Sequence, residues 1–114
     1  MAIVKIALEL KDEILKKFKN ESKIIFHQMY SLGKNPKKGK LLSQVGGIAI
    51  KELKYKSFRF YFITDGHKIN IMGQSKLIDL LIRFVRMSDK KNQQETINEI
   101  KRILSNFGSD GFNI

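Results

Sequence analysis

Lys54, Lys56, Arg59 and Tyr61 gather three cations and one aromatic into a single short stretch. Around them, Leu53, Tyr55, Phe58, Phe60 and Phe62 fit one buried face of a pair of strands. Successive side chains of a strand point to opposite faces, so the four polar-headed residues share the other face, with the turn at Ser57 resetting the parity. A one-sided core would leave that second face open. Cations in this arrangement suit phosphate groups, and a tyrosine ring offers a surface for stacking a base. Three further groups border the same face: Lys37, Lys38 and Lys40 before it, Arg83 and Arg86 in an apolar run after it, and Lys90 and Lys91 beyond that run. A solvated sheet face also carries charge without binding anything, and lysine guards exposed strand edges. Arg83 stands out, because an arginine inside so apolar a run needs a buried partner or an exit to a groove.

Other chemistries find little support. The chain has no cysteine, which removes disulfides, thiol nucleophiles and thiolate metal ligands. It has two histidines, His27 and His67, too few by themselves for a zinc site. His67 follows an Asp65-Gly66 turn and is expected at the surface, where a proton-carrying role would lie away from Arg59. No phosphate-binding glycine loop, dinucleotide fingerprint or serine-triad motif occurs, and Ser43-Gln44-Val45-Gly46-Gly47 reads as a turn. No metal and no cofactor is expected.

The bulk numbers favour a polyanionic partner. Twenty-two Lys+Arg against eleven Asp+Glu give a net charge of +11 in 114 residues. Such an excess is costly in self-repulsion and points to nucleic acid, an acidic protein or an anionic surface. A lysine-rich proteome would produce the same count with no partner at all. Hydrophobic residues make up 42%, enough for one globular core. No run approaches the roughly 20 apolar residues that span a bilayer, and Lys5 and Glu9 interrupt the start of the chain. A cytoplasmic protein without membrane contact is expected.

The elements that must position these residues can be placed by periodicity. Ile3 to Leu8 alternates as a first strand. Ile14, Leu15 and Phe18 between Lys11 and Lys19, then Ile25, Phe26, Met29 and Tyr30 between Glu21 and Leu32, mark two short antiparallel helices or one helix bent at Asn20. Gly33 suits a helix end, and Lys34 to Lys40 a loop around Asn35-Pro36. Strands follow at Ile48 to Lys56, Phe58 to Thr64, Lys68 to Met72 and Leu77 to Met87, with Asp65-Gly66 as a hairpin turn. Asn92 and Glu95 fit a capping box before the stripe Ile97, Ile100, Ile103 and Leu104. The fold class is therefore α+β. An N-terminal helical hairpin packs on a curved, mostly antiparallel sheet of four or five strands, and a C-terminal helix follows. One domain covers residues 1–107, and 108–114 reads as a flexible tail.

Several of these segments resemble the RelE/ParE toxin superfamily. Lys51-Glu52-Leu53-Lys54, Phe58-Arg59-Phe60-Tyr61-Phe62 and Asp65-Gly66 match its Leu-Arg pair, short turn, aromatic-Arg pair and Tyr. Phe84 to Lys91 and Glu99-Ile100-Lys101-Arg102 are similar to its HigB-like branch. Asn35 to Leu41 is similar to the family's loop between hairpin and sheet. The resemblance covers most of residues 12 to 104. It implies the toxin of a type II toxin–antitoxin pair, an mRNA endoribonuclease acting at the ribosome and held in check by an acidic antitoxin. In such enzymes the RNA 2′-hydroxyl attacks its own phosphate without a metal. The protein orients the attack, moves protons and stabilises phosphoryl charge. By this resemblance Arg59 contacts phosphate, Lys54 stands where the Leu-Arg arginine is found, and Arg86 lies near a second family arginine. Lys37, Lys38, Lys40, Lys56, Tyr61, Arg83, Lys90 and Lys91 would bind RNA. Glu52 replaces a catalytic lysine of the RelE type, and Gln93, Gln94 and Thr96 stand where a tyrosine is usual, so the general acid and base are unassigned. A ParE-like gyrase inhibitor and a non-catalytic nucleic-acid-binding module on the same scaffold are the alternatives. The sequence leaves the oligomeric state open.

Overall fold

The computed structural model describes residues 3–35, 38–65 and 81–112. Strand β1 (Ile3–Ile6) leads through Ala7 into helix α1 (Leu8–Phe18). A 3-10 turn at Lys19–Glu21 joins it to helix α2 (Ser22–Tyr30). Four strands follow: β2 (Lys40–Val45), β3 (Ile48–Tyr55), β4 (Phe58–Thr64) and β5 (Leu81–Asp89). Helix α3 (Gln93–Phe107) and a 3-10 turn at Gly108–Gly111 complete the described chain.

The strands form one sheet in the order β1-β5-β4-β3-β2. β1 runs parallel to β5, and every other neighbour is antiparallel. The α+β class holds, with a mixed five-stranded sheet. The β3–β4 hairpin has the expected parity: Leu53 faces Phe60, Tyr55 faces Phe58, Lys54 faces Arg59 and Glu52 faces Tyr61. At the β4–β5 pairing Tyr61 meets Arg86 while Phe62 meets Phe84, so Val85 is an extra, bulged residue.

A core lies on each side of this sheet. On the first face α1 contributes Leu10 and Ile14, α2 contributes Ile25 and Met29, and the sheet contributes Leu53, Tyr55, Phe60, Phe62, Ile82 and Phe84. The i, i+4 spacing on each helix gives the stripe that the sheet covers. Ser22 ties the two helices, its Oγ donating to the Ile14 carbonyl at 3.1 Å. On the second face α3 lays Ile97, Ile100 and Leu104 over Ile50, Tyr61, Ile63 and Val85.

This second core overturns the expectation of an open face. Tyr61 is 0% exposed and Arg59 7%. The physical reason is that β3 and β4 carry apolar residues at both parities: Ile50 and Ile63 accompany Tyr61, and burying them against α3 removes more apolar area than leaving them wet.

Smaller corrections follow the same logic. β1 ends at Ile6 and α1 already begins at Leu8, short of the strand expected to run to Leu8 and ahead of the helix expected from Lys11, with Glu9 as the acidic residue of its first turn. β2 lies where a loop and turn were expected. It is a half-exposed edge strand with a register shift between Leu41 and Ser43, which erases the alternation. The Asn92 side chain caps nothing. Its amide donates to Asp89 Oδ1 at 3.0 Å, as does its backbone N–H at 2.9 Å. Residues 108–112, expected as a tail, turn back so that Phe112 joins the second core at 4% exposure. The expected strand at 68–72, the Gly66 part of the hairpin turn and the start of the 77–87 run lie outside the described residues.

Candidate nucleic-acid interface

The nominated residues fall into two groups, with exposed Lys54 at the margin of both. Lys54, Arg59 and Tyr61 share the second face as sequence parity requires, and the Val85 bulge brings Arg83 and Arg86, three residues apart, to that face as well, whereas Lys56, expected beside them, lies in the β3–β4 turn. Below α3, however, most of them are already engaged. Arg59 Nε lies 3.8 Å from Glu52 Oε2, with both side chains 8% exposed. Gln93, at the start of α3, donates to the same carboxylate oxygen at 3.3 Å. Tyr61 and Ser88 share a 2.7 Å hydroxyl–hydroxyl hydrogen bond, and burial pushes the phenol above its ordinary range. Arg86 donates to Glu99 on α3 at 2.8 Å and to the Val85 carbonyl at 2.7 Å, and its guanidinium lies 5.5 Å from the Phe112 ring centroid. Arg83 reaches the Ser109 carbonyl at 3.4 Å, while its buried Nε meets no acceptor among the described residues.

Arg59 as a phosphate contact and Tyr61 as a stacking platform are therefore not available on this surface. A phosphate at Arg59 would have to displace a paired carboxylate beneath a helix. Arg83 takes the buried-partner route that its apolar strand demanded, through the returning C-terminal turn.

The second group meets elsewhere. Lys38 and Lys40 enter β2, Lys54 and Lys56 flank the β3–β4 turn, and Lys90 and Lys91 follow β5. Register brings these segments to one end of the sheet: Lys40 opposes Glu52, Lys54 opposes Arg59, and Phe58 opposes Asp89. The lysines form a rim along the strand ends, about 14 Å across from β2 to β5 at ordinary strand spacing. All six are exposed. Lys56 pairs with Glu21, which raises its pKa through a hydrogen bond and charge attraction. Lys38, Lys40, Lys54, Lys90 and Lys91 make no ion pair among the described residues. Lys37 and His67 lie outside those residues, and His27 is exposed on α2.

Two local features build this rim. Gly39 has φ +103°, and a Cβ there would fall 2.8 Å from Phe62 Cζ, so glycine lets the lysine-bearing strand entry cross the ring. Phe18 packs edge-to-face on Tyr55 and Phe58, with ring centroids 6.1 and 5.1 Å away. That contact fixes the end of α1 against the hairpin and sets Lys17 Nζ 4.9 Å from the Phe58 ring centroid. The sequence signal for the rim was present in the lysines themselves. Their convergence needed the strand pairing of β2, which the sequence concealed.

A separate cavity of about 380 Å³ opens between the start of α1 and the C-terminal turn, lined by Ala7, Leu8, Glu9, Arg86, Gly111 and Phe112. No cluster of three or more His, Asp or Glu residues suited to a metal occurs among the described residues, and no described helix is long and apolar enough to cross a membrane. The fold and rim define a class: a basic α+β domain with a sheet covered on both faces and a cationic end. Comparison with protein-family models, curated proteins and solved structures finds no match for the chain.

Proposed function

We propose that this chain is a nucleic-acid-directed domain of the RelE/ParE toxin kind that meets RNA with the lysine rim rather than with the sheet face. The supporting observation is the convergence of Lys38, Lys40, Lys54, Lys90 and Lys91, exposed and without ion pairs among the described residues, at one end of the sheet. Holding like charges together costs free energy that a polyanion recovers by releasing its counterions. An acidic antitoxin segment lying on the rim would offset the same charge. Purified protein titrated into messenger RNA and ribosomes tests the assignment. Binding should weaken steeply with salt, and absence of binding at low salt defeats it.

A second activity, metal-independent cleavage of ribosome-bound messenger RNA, is favoured by one observation. Glu52, Arg59, Tyr61 and Ser88 cluster on one face, combining a carboxylate, a guanidinium and two hydroxyls. These are the groups that in-line attack by a 2′-hydroxyl calls for. Cleavage on this cluster requires the first turn of α3 to leave it. New RNA ends in the same incubation, lost in Tyr61→Phe while RNA binding is retained, would establish this activity. Lethality on expression, rescued by an acidic protein encoded beside the chain, would place it in a toxin–antitoxin pair.

A further inference from the structure

The composition of the rim narrows the RNA it fits, on the premise that RNA is the partner. Every cation on it is a lysine. The arginines lie elsewhere, Arg59 against Glu52 under α3 and Arg86 against Glu99. Lysine is a point charge for phosphate, whereas the planar guanidinium fork is what reads a base edge bidentately. Among the described residues the aromatic rings near the rim are buried or half-buried. Tyr55 is 9% exposed, Phe60 and Tyr61 are 0%, and Phe58 is half-buried against Phe18. The exposed aromatics of the described chain, Tyr30 and Phe107, sit on α2 and at the far end of α3 from Lys90 and Lys91. Among the described residues unpaired bases thus find no fully exposed aromatic ring to stack on at the rim, and stacking is the main attraction that single strands offer to proteins.

We infer that the rim binds double-helical RNA through its phosphates, without reading base identity. A stem presents two phosphate backbones to a row of charges about 14 Å wide, and A-form duplexes are recognised by shape and backbone contacts. Charge density alone then sets the preference. With five lysine contacts and equal affinity at 1 M salt, the slopes of about 0.9 per contact for a B-form duplex, applied to the stem, and about 0.7 for a single strand favour the stem by about five- to tenfold at 0.15 M salt.

The test is fluorescence anisotropy with the full chain. The probes are two RNA duplexes of about 16 base pairs with unrelated sequences, an unstructured oligouridine, and a DNA duplex. The two RNA duplexes should bind alike and more tightly than the oligouridine. Removing Lys54, Lys90 and Lys91 together as alanines should flatten the salt slope by about one per lysine. Arg102→Ala, on the exposed side of α3, should leave affinity essentially unchanged. Oligouridine bound as tightly as the stems, a strong preference between the two stems, or a preference for the DNA duplex overturns the inference while leaving nucleic-acid binding standing. Equal losses in Arg102→Ala and Lys54→Ala overturn the rim as the contact. No binding to any probe removes the RNA assignment itself.

Discussion

Arg59 and Glu52 face each other across the β3–β4 hairpin beneath the first turn of α3, Nε 3.8 Å from Oε2, each side chain 8% exposed. Register does not place them directly opposite. Arg59 pairs with Lys54 and Glu52 with Tyr61, so the contact is a diagonal across one row. Taking both charges from water is costly, and their attraction roughly balances that cost when both are present. Removing one partner leaves the other buried and uncompensated.

Arg59→Ala should therefore destabilise the fold by about 3–5 kcal/mol. The paired replacement Glu52→Gln with Arg59→Met should cost much less. Urea unfolding of Glu52→Gln, Arg59→Met and the double variant gives the coupling directly. If the singles add without coupling, the ion pair contributes nothing.

Gly39→Ala should cost about 1–3 kcal/mol and weaken RNA binding together. The new Cβ meets the Phe62 ring at 2.8 Å and the Glu52 carbonyl at 3.1 Å, at a φ that disfavours side chains. Thermal unfolding reports the first effect and a salt titration of RNA affinity the second. Unchanged values of both would mean that the strand entry is not held against Phe62.

Tyr61 carries an alkaline signature. Its phenol is pushed up chiefly by burial, partly opposed by the Ser88 hydrogen bond. A raised value means the folded state holds the proton longer than the unfolded chain does. This contribution is fully present below the ordinary tyrosine value of about 10. It is lost as pH rises above that value toward the folded one. Stability should fall across that alkaline window in the parent and fall less in Tyr61→Phe. At neutral pH the substitution should cost about 1 kcal/mol, because Ser88 Oγ keeps a 2.9 Å contact to the Asp89 carbonyl. Phenolate absorbance during alkaline unfolding gives the comparison.

Phe112→Ala should destabilise by about 3–5 kcal/mol, the range for a buried phenylalanine. The ring is 4% exposed and lies against Arg86 in the second core. Gly111 packs so close to Ile103 that a Cβ would stand 2.6 Å from its Cγ2, which fixes the return of the chain. Hydrogen exchange along α3 should accelerate in the variant. Exchange equal to the parent would mean that residues 108–112 add no stability.

How much of this was legible beforehand differs from element to element. The alternation through Leu53, Tyr55, Phe58, Phe60 and Phe62 determined the β3–β4 hairpin and its inward face, because a tight turn and a period of two leave one register with those rings buried together. The stripe Ile97, Ile100, Leu104 determined that α3 is amphipathic. Local periodicity is silent on which surface such a stripe will cover, since that depends on where the chain turns after β5 and on which strands lie side by side. Tertiary packing alone set α3 on the face of Arg59 and Tyr61, turning expected surface residues into a buried polar cluster. Pairing of β2 with β3, masked in the sequence by a bulge at an edge strand, brought separate lysines to one end of the sheet. Charge was written in the composition, but its location was decided by contacts between residues far apart in the chain, which no local pattern encodes.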